Sequence, residues 1–180
     1  MNTSVMVRVG LMAAVMAVVA QIAIPIQPVP FTFQVLGVIL SGFLLGPKYG
    51  ALSQVVYLLV GAVGVPVFAN FSGGFDSLVG PTGGYLLSYP LAAALAGLAA
   101  GAAASSSRGR ALSLCALWGG AGLVVIYALG ATWLSFATQL PAGVALAQGV
   151  LPFVPFDLIK VGLAAVIATA AAPAISTSRA

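Results

Sequence analysis

The chain has 180 residues, of which 62% are hydrophobic and only 4% charged, and its mean hydropathy is +1.19. A soluble domain carries about 25% charged residues, so this chain cannot cover its own surface in water and reads as an integral membrane protein of the lipid bilayer. Its net charge of +4 comes without a basic cluster, which excludes a nucleic-acid partner.

The apolar runs are long and lack strand-like alternation, so the expected spans are helices rather than barrel strands. Breakers divide the sequence into six segments. The first runs from about Val7 to Ile24 and stops at Pro25. A proline-rich stretch, IPIQPVPFTF, follows and is expected to be extended, because each proline disfavours helix in the residue before it. The second segment, about Phe31 to Leu45, meets the third, about Tyr49 to Gly64, at the turn Gly46-Pro47-Lys48. A glycine-rich region carrying Asn70 and Asp76 leads to the fourth segment, about Tyr85 to Ala103, which contains Pro90 as an expected kink. After the polar turn SSSRGR, the fifth segment covers about Ala111 to Ala137. The sixth begins at Pro155, suited to the first turn of a helix, and is expected to end by Pro173.

Segments two and three are short enough to be fused into one span, but charge placement argues against it. With six spans and a cytoplasmic N-terminus, Arg8, Lys48, Arg108, Arg110 and Arg179 all fall inside, and the outer loops hold Asp76 without any Lys or Arg. The expected fold is therefore a single domain over residues 1–180, all-α, with six transmembrane helices and both termini cytoplasmic. A rival reading makes the first segment a signal peptide cleaved after Val18-Val19-Ala20, which leaves the remaining topology unchanged.

The chemistry that is missing narrows the function. There is no His and no Glu, and Cys115 is alone, so zinc clusters, His-based triads and internal disulfides are excluded. No phosphate-binding G-x-x-x-x-G-K-[ST] occurs. The chain is not expected to be an enzyme or to hold a cofactor or metal, and any ATP-driven step must come from partners.

What remains is PFDLIK, which places Asp157 and Lys160 three residues apart at the start of an apolar segment. In a helix that spacing puts both on one face. A charge at the middle of a bilayer costs roughly 2.5–3.5 kcal/mol on insertion scales, so an intramembrane ionisable pair is a functional site by default. A pair that only fixes helix packing is the bland alternative. The six-span topology gathers QPVPFTF, ANFSGGFDSLVGPTGG and the start of segment six on the outer face. Asp157 then lies in the first helical turn, where free N–H groups favour a carboxylate, and Lys160 lies one turn deeper. An outward pocket lined by Asn70, Asp157, Lys160 and aromatic side chains follows. It would suit a small molecule with an apolar body and a few hydrogen-bonding groups. The small-x-x-x-small patterns Ala13-x-x-x-Ala17 and Gly97-x-x-x-Gly101 allow close helix approach.

These outer-loop residues carry a resemblance. PVPFTFQ (Pro28 to Gln34), LLGPKYGALSQVVYLLVGAVGVPVFA (Leu44 to Ala69), GPTGGYL (Gly80 to Leu86) and PFVPFDLIK (Pro152 to Lys160) resemble the BioY family, the biotin-binding S components of energy-coupling factor transporters. Two positions depart from the family pattern: Phe156 stands where Gly is usual before the Asp, and Ser88 replaces a common Gly. The resemblance implies an S-component-like bundle that binds biotin and works with a transmembrane coupling subunit and two ATPase subunits. It implies binding roles for Asn70, Asp157 and Lys160, with Tyr85 and the backbone of Gly80 to Gly84 as neighbours. Phe31, Phe68 or Trp133 would offer apolar contact to the thiophane ring. The small residues Ala13 and Ala17 on helix one would dock the coupling subunit. The competing class is a self-sufficient proton-coupled carrier using Asp157 and Lys160; a structural subunit without a ligand explains neither the loops nor the pair.

Overall fold

The computed structural model describes residues 2–105 and 107–177. Arg179, expected on the cytoplasmic side, lies outside them. The chain runs α1 (Thr3–Ala20), β1 (Ala23–Ile24), β2 (Phe31–Thr32), α2 (Gln34–Ala62), a 3-10 turn (Ala69–Phe71), α3 (Asp76–Val79), α4 (Gly83–Gly97), α5 (Ala100–Ser105), α6 (Arg108–Thr138), α7 (Ala142–Gly149) and α8 (Val154–Thr177). Among the described residues, five helices are long and apolar enough to cross a membrane: Thr3–Ala20, Gln34–Ala62, Gly83–Ala102, Arg108–Thr138 and Val154–Ala171.

The Gln34–Ala62 element is not straight. Gly46 leaves the helical region with φ 79° and ψ 177°, a conformation open essentially to glycine, and Pro47 opens the second limb. Beyond Gly46 the chain folds back on itself. Gln54 Nε2 donates to Ser41 Oγ at 3.0 Å and Gln34 Nε2 donates to Tyr57 Oη at 2.8 Å. In a straight helix those partners would lie about 20 and about 35 Å apart. The turn expected at Gly46-Pro47-Lys48 is present.

Other boundaries differ from the sequence expectation in informative ways. Segment one ends as helix at Ala20, and Ala23–Ile24 pair antiparallel with Phe31–Thr32. Pro25 to Pro30 thus form the loop of a short two-stranded ribbon. The fourth segment carries Pro90 within α4 without a non-helical residue, then breaks at Leu98–Ala99 before α5. The last helix continues past Pro173 to Thr177.

Packing relies on small residues. A Cβ on Gly42 would strike the backbone of Ala93 and Gly97, and one on Gly97 would strike the Gly46–Pro47 backbone, so α4 lies directly against the hairpin. Ala92, Ala93 and Ala96 are fully buried there. The outside is as apolar as the inside: Leu11, Val18, Leu117, Val124, Phe136, Ile159 and Val166 are all exposed. Such an inversion is stable only in a solvent without hydrogen bonds, where close packing rather than hydrophobic exclusion holds helices together.

On α1 the inward face holds Val9, Met12, Ala13, Met16 and Ala20. Ala13 is part of the core and Ala17 packs partly against it. Both alanines thus lie on or beside the packed face of α1. The small residues that α1 turns outward are Gly10 and Ala14, beside Leu11 and Val18.

Candidate functional site

At the end of the bundle opposite the Gly46 turn, the polar side chains converge on a cavity of about 420 Å³. That volume lies in the range of small-molecule sites. Its walls come from the β2 strand, the start of α2, the 3-10 turn, the α3–α4 junction, the middle of α6, the end of α7 and the start of α8.

The centre is the pair read from PFDLIK. Lys160 Nζ lies 2.6 Å from Asp157 Oδ1, and both side chains are only 5% exposed. A buried pair of this kind needs further hydrogen bonds to offset the loss of water, and it has them. Lys160 Nζ also donates to the Thr32 carbonyl at 2.7 Å, and Tyr127 Oη donates to Asp157 Oδ2 at 2.7 Å. The ammonium sits 3.9 Å from the centre of the Phe31 ring and 5.4 Å from that of Phe33, positions in which the ring faces attract a cation. Phe31 in turn packs against Phe153 and Phe156. Asp157 takes its bonds from Lys160 and Tyr127 rather than from free amides at the helix start, and its own N–H is already bound to the Phe153 carbonyl at 2.9 Å.

The other expected residues reach the same cavity. Asn70 lines it from the 3-10 turn, with φ 57°, a left-handed conformation that Asn tolerates better than most residues. Its side-chain amide makes no hydrogen bond among the described residues. Tyr85 also lines the cavity, its ring over Gly130 and its hydroxyl donating to the Gly149 carbonyl at 2.8 Å. Gly80 also lines the cavity, but Gly83 and Gly84 do not. A Cβ on Gly84 would strike Trp133, and one on Gly83 would strike the Leu78 carbonyl, so these two glycines pack α4 against its neighbours. Of the three aromatic candidates only Phe68 lines the cavity. Phe31 covers the ammonium, and Trp133 donates to the Gly80 carbonyl at 2.9 Å.

Several cavity residues were not anticipated. Tyr127 holds the second oxygen of Asp157 from a helix 30 positions earlier in the chain. Gln34, within PVPFTFQ, joins Thr32, Tyr57 and Tyr89 in a buried network through contacts of 3.1, 2.8 and 3.3 Å. No local sequence signal marks these partners, because each contact joins distant segments or a residue type that is common in cores.

The cavity's chemistry suits a small molecule with an apolar body. Apolar walls from Val29, Phe68, Leu86, Ile126 and Phe153 surround a few fixed donors and acceptors. No group of three or more His, Cys, Asp or Glu side chains that could hold a metal occurs among the described residues.

Comparison with known proteins gives the family. A family model described as the BioY family matches residues 1–177. The biotin transporter BioY of Thermotoga maritima is 46% identical over 163 residues, covering 91% of this chain and 92% of that protein. The probable biotin transporter BioY of Pyrococcus horikoshii is 45% identical over 160 residues, covering 89% of this chain and 91% of that protein. The fold is similar to a crystal structure described as the S-component for biotin from an ECF-type ABC transporter, with a TM-score of 0.82 and 30% identity over 94% of this chain and 93% of the other. With its family model matched over nearly the whole length, the chain belongs to the BioY family.

Proposed function

We propose that this chain binds biotin in the cavity and serves its uptake as the membrane-embedded, substrate-binding subunit of an energy-coupling factor transporter. The observation that carries the reading is a self-satisfied Asp157–Lys160 pair at the wall of a half-open, mostly apolar cavity in a chain of this family. Biotin's ureido ring presents two N–H donors and one carbonyl acceptor. The carboxylate of Asp157 keeps lone pairs beyond those used by Lys160 and Tyr127, and the Asn70 amide offers both a donor and an acceptor. Asn70, Tyr85, Asp157 and Lys160 are the proposed binding residues, with Phe68, Leu86 and Ile126 against the thiophane ring. Purified protein in detergent, without any partner, is expected to bind radiolabelled biotin saturably and one-to-one. Absence of such binding would overturn the reading.

Six spans with both ends cytoplasmic belong to the same proposal. Two features support them. The limbs of the Gln34–Ala62 element run antiparallel and read as separate spans. Arg8, Lys48, Arg108 and Arg110 sit towards the end away from the cavity, whereas Asp76 lines it; the positive-inside rule then points the cavity outward. Single cysteines at Ser72 and Ser107, in a protein lacking Cys115, are expected to react with an impermeant label from opposite sides of the membrane. Reaction of both from one side would reject the topology.

The energy for uptake comes, in this reading, from a transmembrane coupling subunit and two ATPase subunits. On α1 the small residues are the proposed docking face: the outward Gly10 and Ala14, beside the pair Ala13 and Ala17 expected from the sequence.

A further inference from the structure

We propose that Gln21 is a positioning residue for the binding site, fixing the loop that carries Asn70 without itself touching the cavity. The residue follows α1 directly, and its side chain spans two elements. Its Oε1 accepts the Phe71 N–H at 2.9 Å. Its Nε2 lies 3.1 Å from the Ala17 carbonyl, 3.3 Å from that of Val67 and 3.1 Å from that of Phe68. These contacts grip the backbone on both sides of Asn70.

The loop needs such a grip. Asn70 and Phe71 both have positive φ, 57° and 55°. For phenylalanine that conformation is costly and persists only where the surroundings over-determine it. Phe71 is 74% exposed, so packing of its ring does not hold it. The turn is held by its own Phe68–Ser72 bridge, the Ser72 hydroxyl on the Ala69 carbonyl at 2.8 Å, the buried Phe68 ring against Tyr57, the Tyr57 hydroxyl on the Val67 carbonyl at 3.1 Å, and Gln21. Of these, only Gln21 takes the Phe71 N–H. Among the described residues the Asn70 side chain has no hydrogen bond of its own, so its place at the cavity wall depends on the backbone beneath it.

The chemistry at position 21 is specific to an amide. One end must accept an N–H while the other donates to carbonyls. Glutamate has the same shape and keeps the acceptor for Phe71, but sets a second oxygen against three carbonyl oxygens. The substitution Gln21→Glu therefore removes the donor half of the grip without changing side-chain volume.

The inference rests on biotin as the ligand, and its test keeps the two apart. Biotin affinity and dissociation rate would be measured for wild type, Gln21→Glu, Asn70→Ala and the double variant, with Gln21→Met replacing Gln21→Glu if the latter does not fold. Hydrogen–deuterium exchange over residues 67–72 would be followed in the same proteins. Gln21→Glu is expected to speed exchange in that segment, to leave α4 protected, and to weaken binding by about tenfold to hundredfold, the scale of two or so lost hydrogen bonds. In the Asn70→Ala background the same change is expected to cost little more, because residues acting through one another are not additive. An equal loss in both backgrounds marks a general structural effect and overturns the proposal. So does unchanged affinity in Gln21→Glu beside a wild type that binds. If wild type itself fails to bind biotin, the ligand assignment falls, and exchange decides alone: unaltered exchange over 67–72 overturns the role of Gln21.

Discussion

Lys160→Met is expected to abolish biotin binding at micromolar ligand while the protein still inserts in the membrane. The ammonium is held by Asp157, the Thr32 carbonyl and the Phe31 ring, and the side chains of Asp157 and Lys160 are both buried. Removing it leaves the Asp157 carboxylate with Tyr127 as its remaining partner in a buried site. Breaking a buried pair on one side commonly costs about 3–5 kcal/mol, which corresponds to roughly two to four powers of ten if it falls wholly on binding. Part of that cost falls on folding instead, so thermal stability in detergent must be measured beside affinity.

A second substitution separates the two contributions. Asp157→Asn combined with Lys160→Met removes both charges and their desolvation together. Replacing a buried pair by neutral groups of similar volume is often neutral or stabilising, so the double variant is expected to recover thermal stability yet remain unable to bind. Tyr127→Phe should be milder. It deletes one hydrogen bond to a charged group, typically about 1.5–3 kcal/mol, and leaves Lys160 in place. If the double variant were stable and bound biotin with near wild-type affinity, the charges would be packing devices and the site assignment would fail.

The contrast between Lys160 and Tyr127 shows what the sequence could reveal. Asp157 and Lys160 were legible because a three-residue spacing fixes a shared helical face whatever the tertiary structure does, and because charge is rare in this chain. The hairpin at Gly46 was legible for a similar reason: Gly-Pro followed by a basic residue is a local stop, and the charge asymmetry depends on it. Tyr127 carries no such mark. Its hydroxyl meets Asp157 only after α6 and α8 have packed, and a tyrosine in an apolar run looks like any other core residue.

Gly83 and Gly84 show a related limit. A glycine that lets a backbone approach a ligand and one that lets it approach a tryptophan are the same letter, and here Trp133 is the neighbour. The ends of the first helix were misread because an apolar residue after Gln21 continues a span as readily as it starts a strand. Ala23 and Ile24 pair with Phe31 and Thr32 only because the prolines between them bring the two stretches together.

The orientation of α1 is the feature hardest to read from the sequence, and it sets the last prediction. In water the buried face of a helix is the apolar one, so the sequence shows which way it points. In lipid both faces are apolar. Here Gly10-x-x-x-Ala14 and Ala13-x-x-x-Ala17 are the same pattern displaced by three residues, and only packing distinguishes them. Ala13 lies in the core, whereas a Cβ on Gly10 would meet nothing within 4 Å. Leucines at Gly10 and Ala14 should therefore leave fold and biotin affinity intact, since the cavity lies at the far end of the bundle. They should sharply reduce ATP-driven uptake in cells that also carry the coupling and ATPase subunits, because a small-residue face permits close helix approach and a leucine face does not. Leucines at Ala13 and Ala17 should act the other way round. Overpacking a tight interior typically costs about 1–3 kcal/mol, so thermal stability falls first, and binding falls with it. Intact uptake with Leu at positions 10 and 14 would remove docking from this face of α1. Uptake that needs no partner and follows the proton gradient would instead establish a self-sufficient carrier, with the Asp157–Lys160 pair as its coupling element.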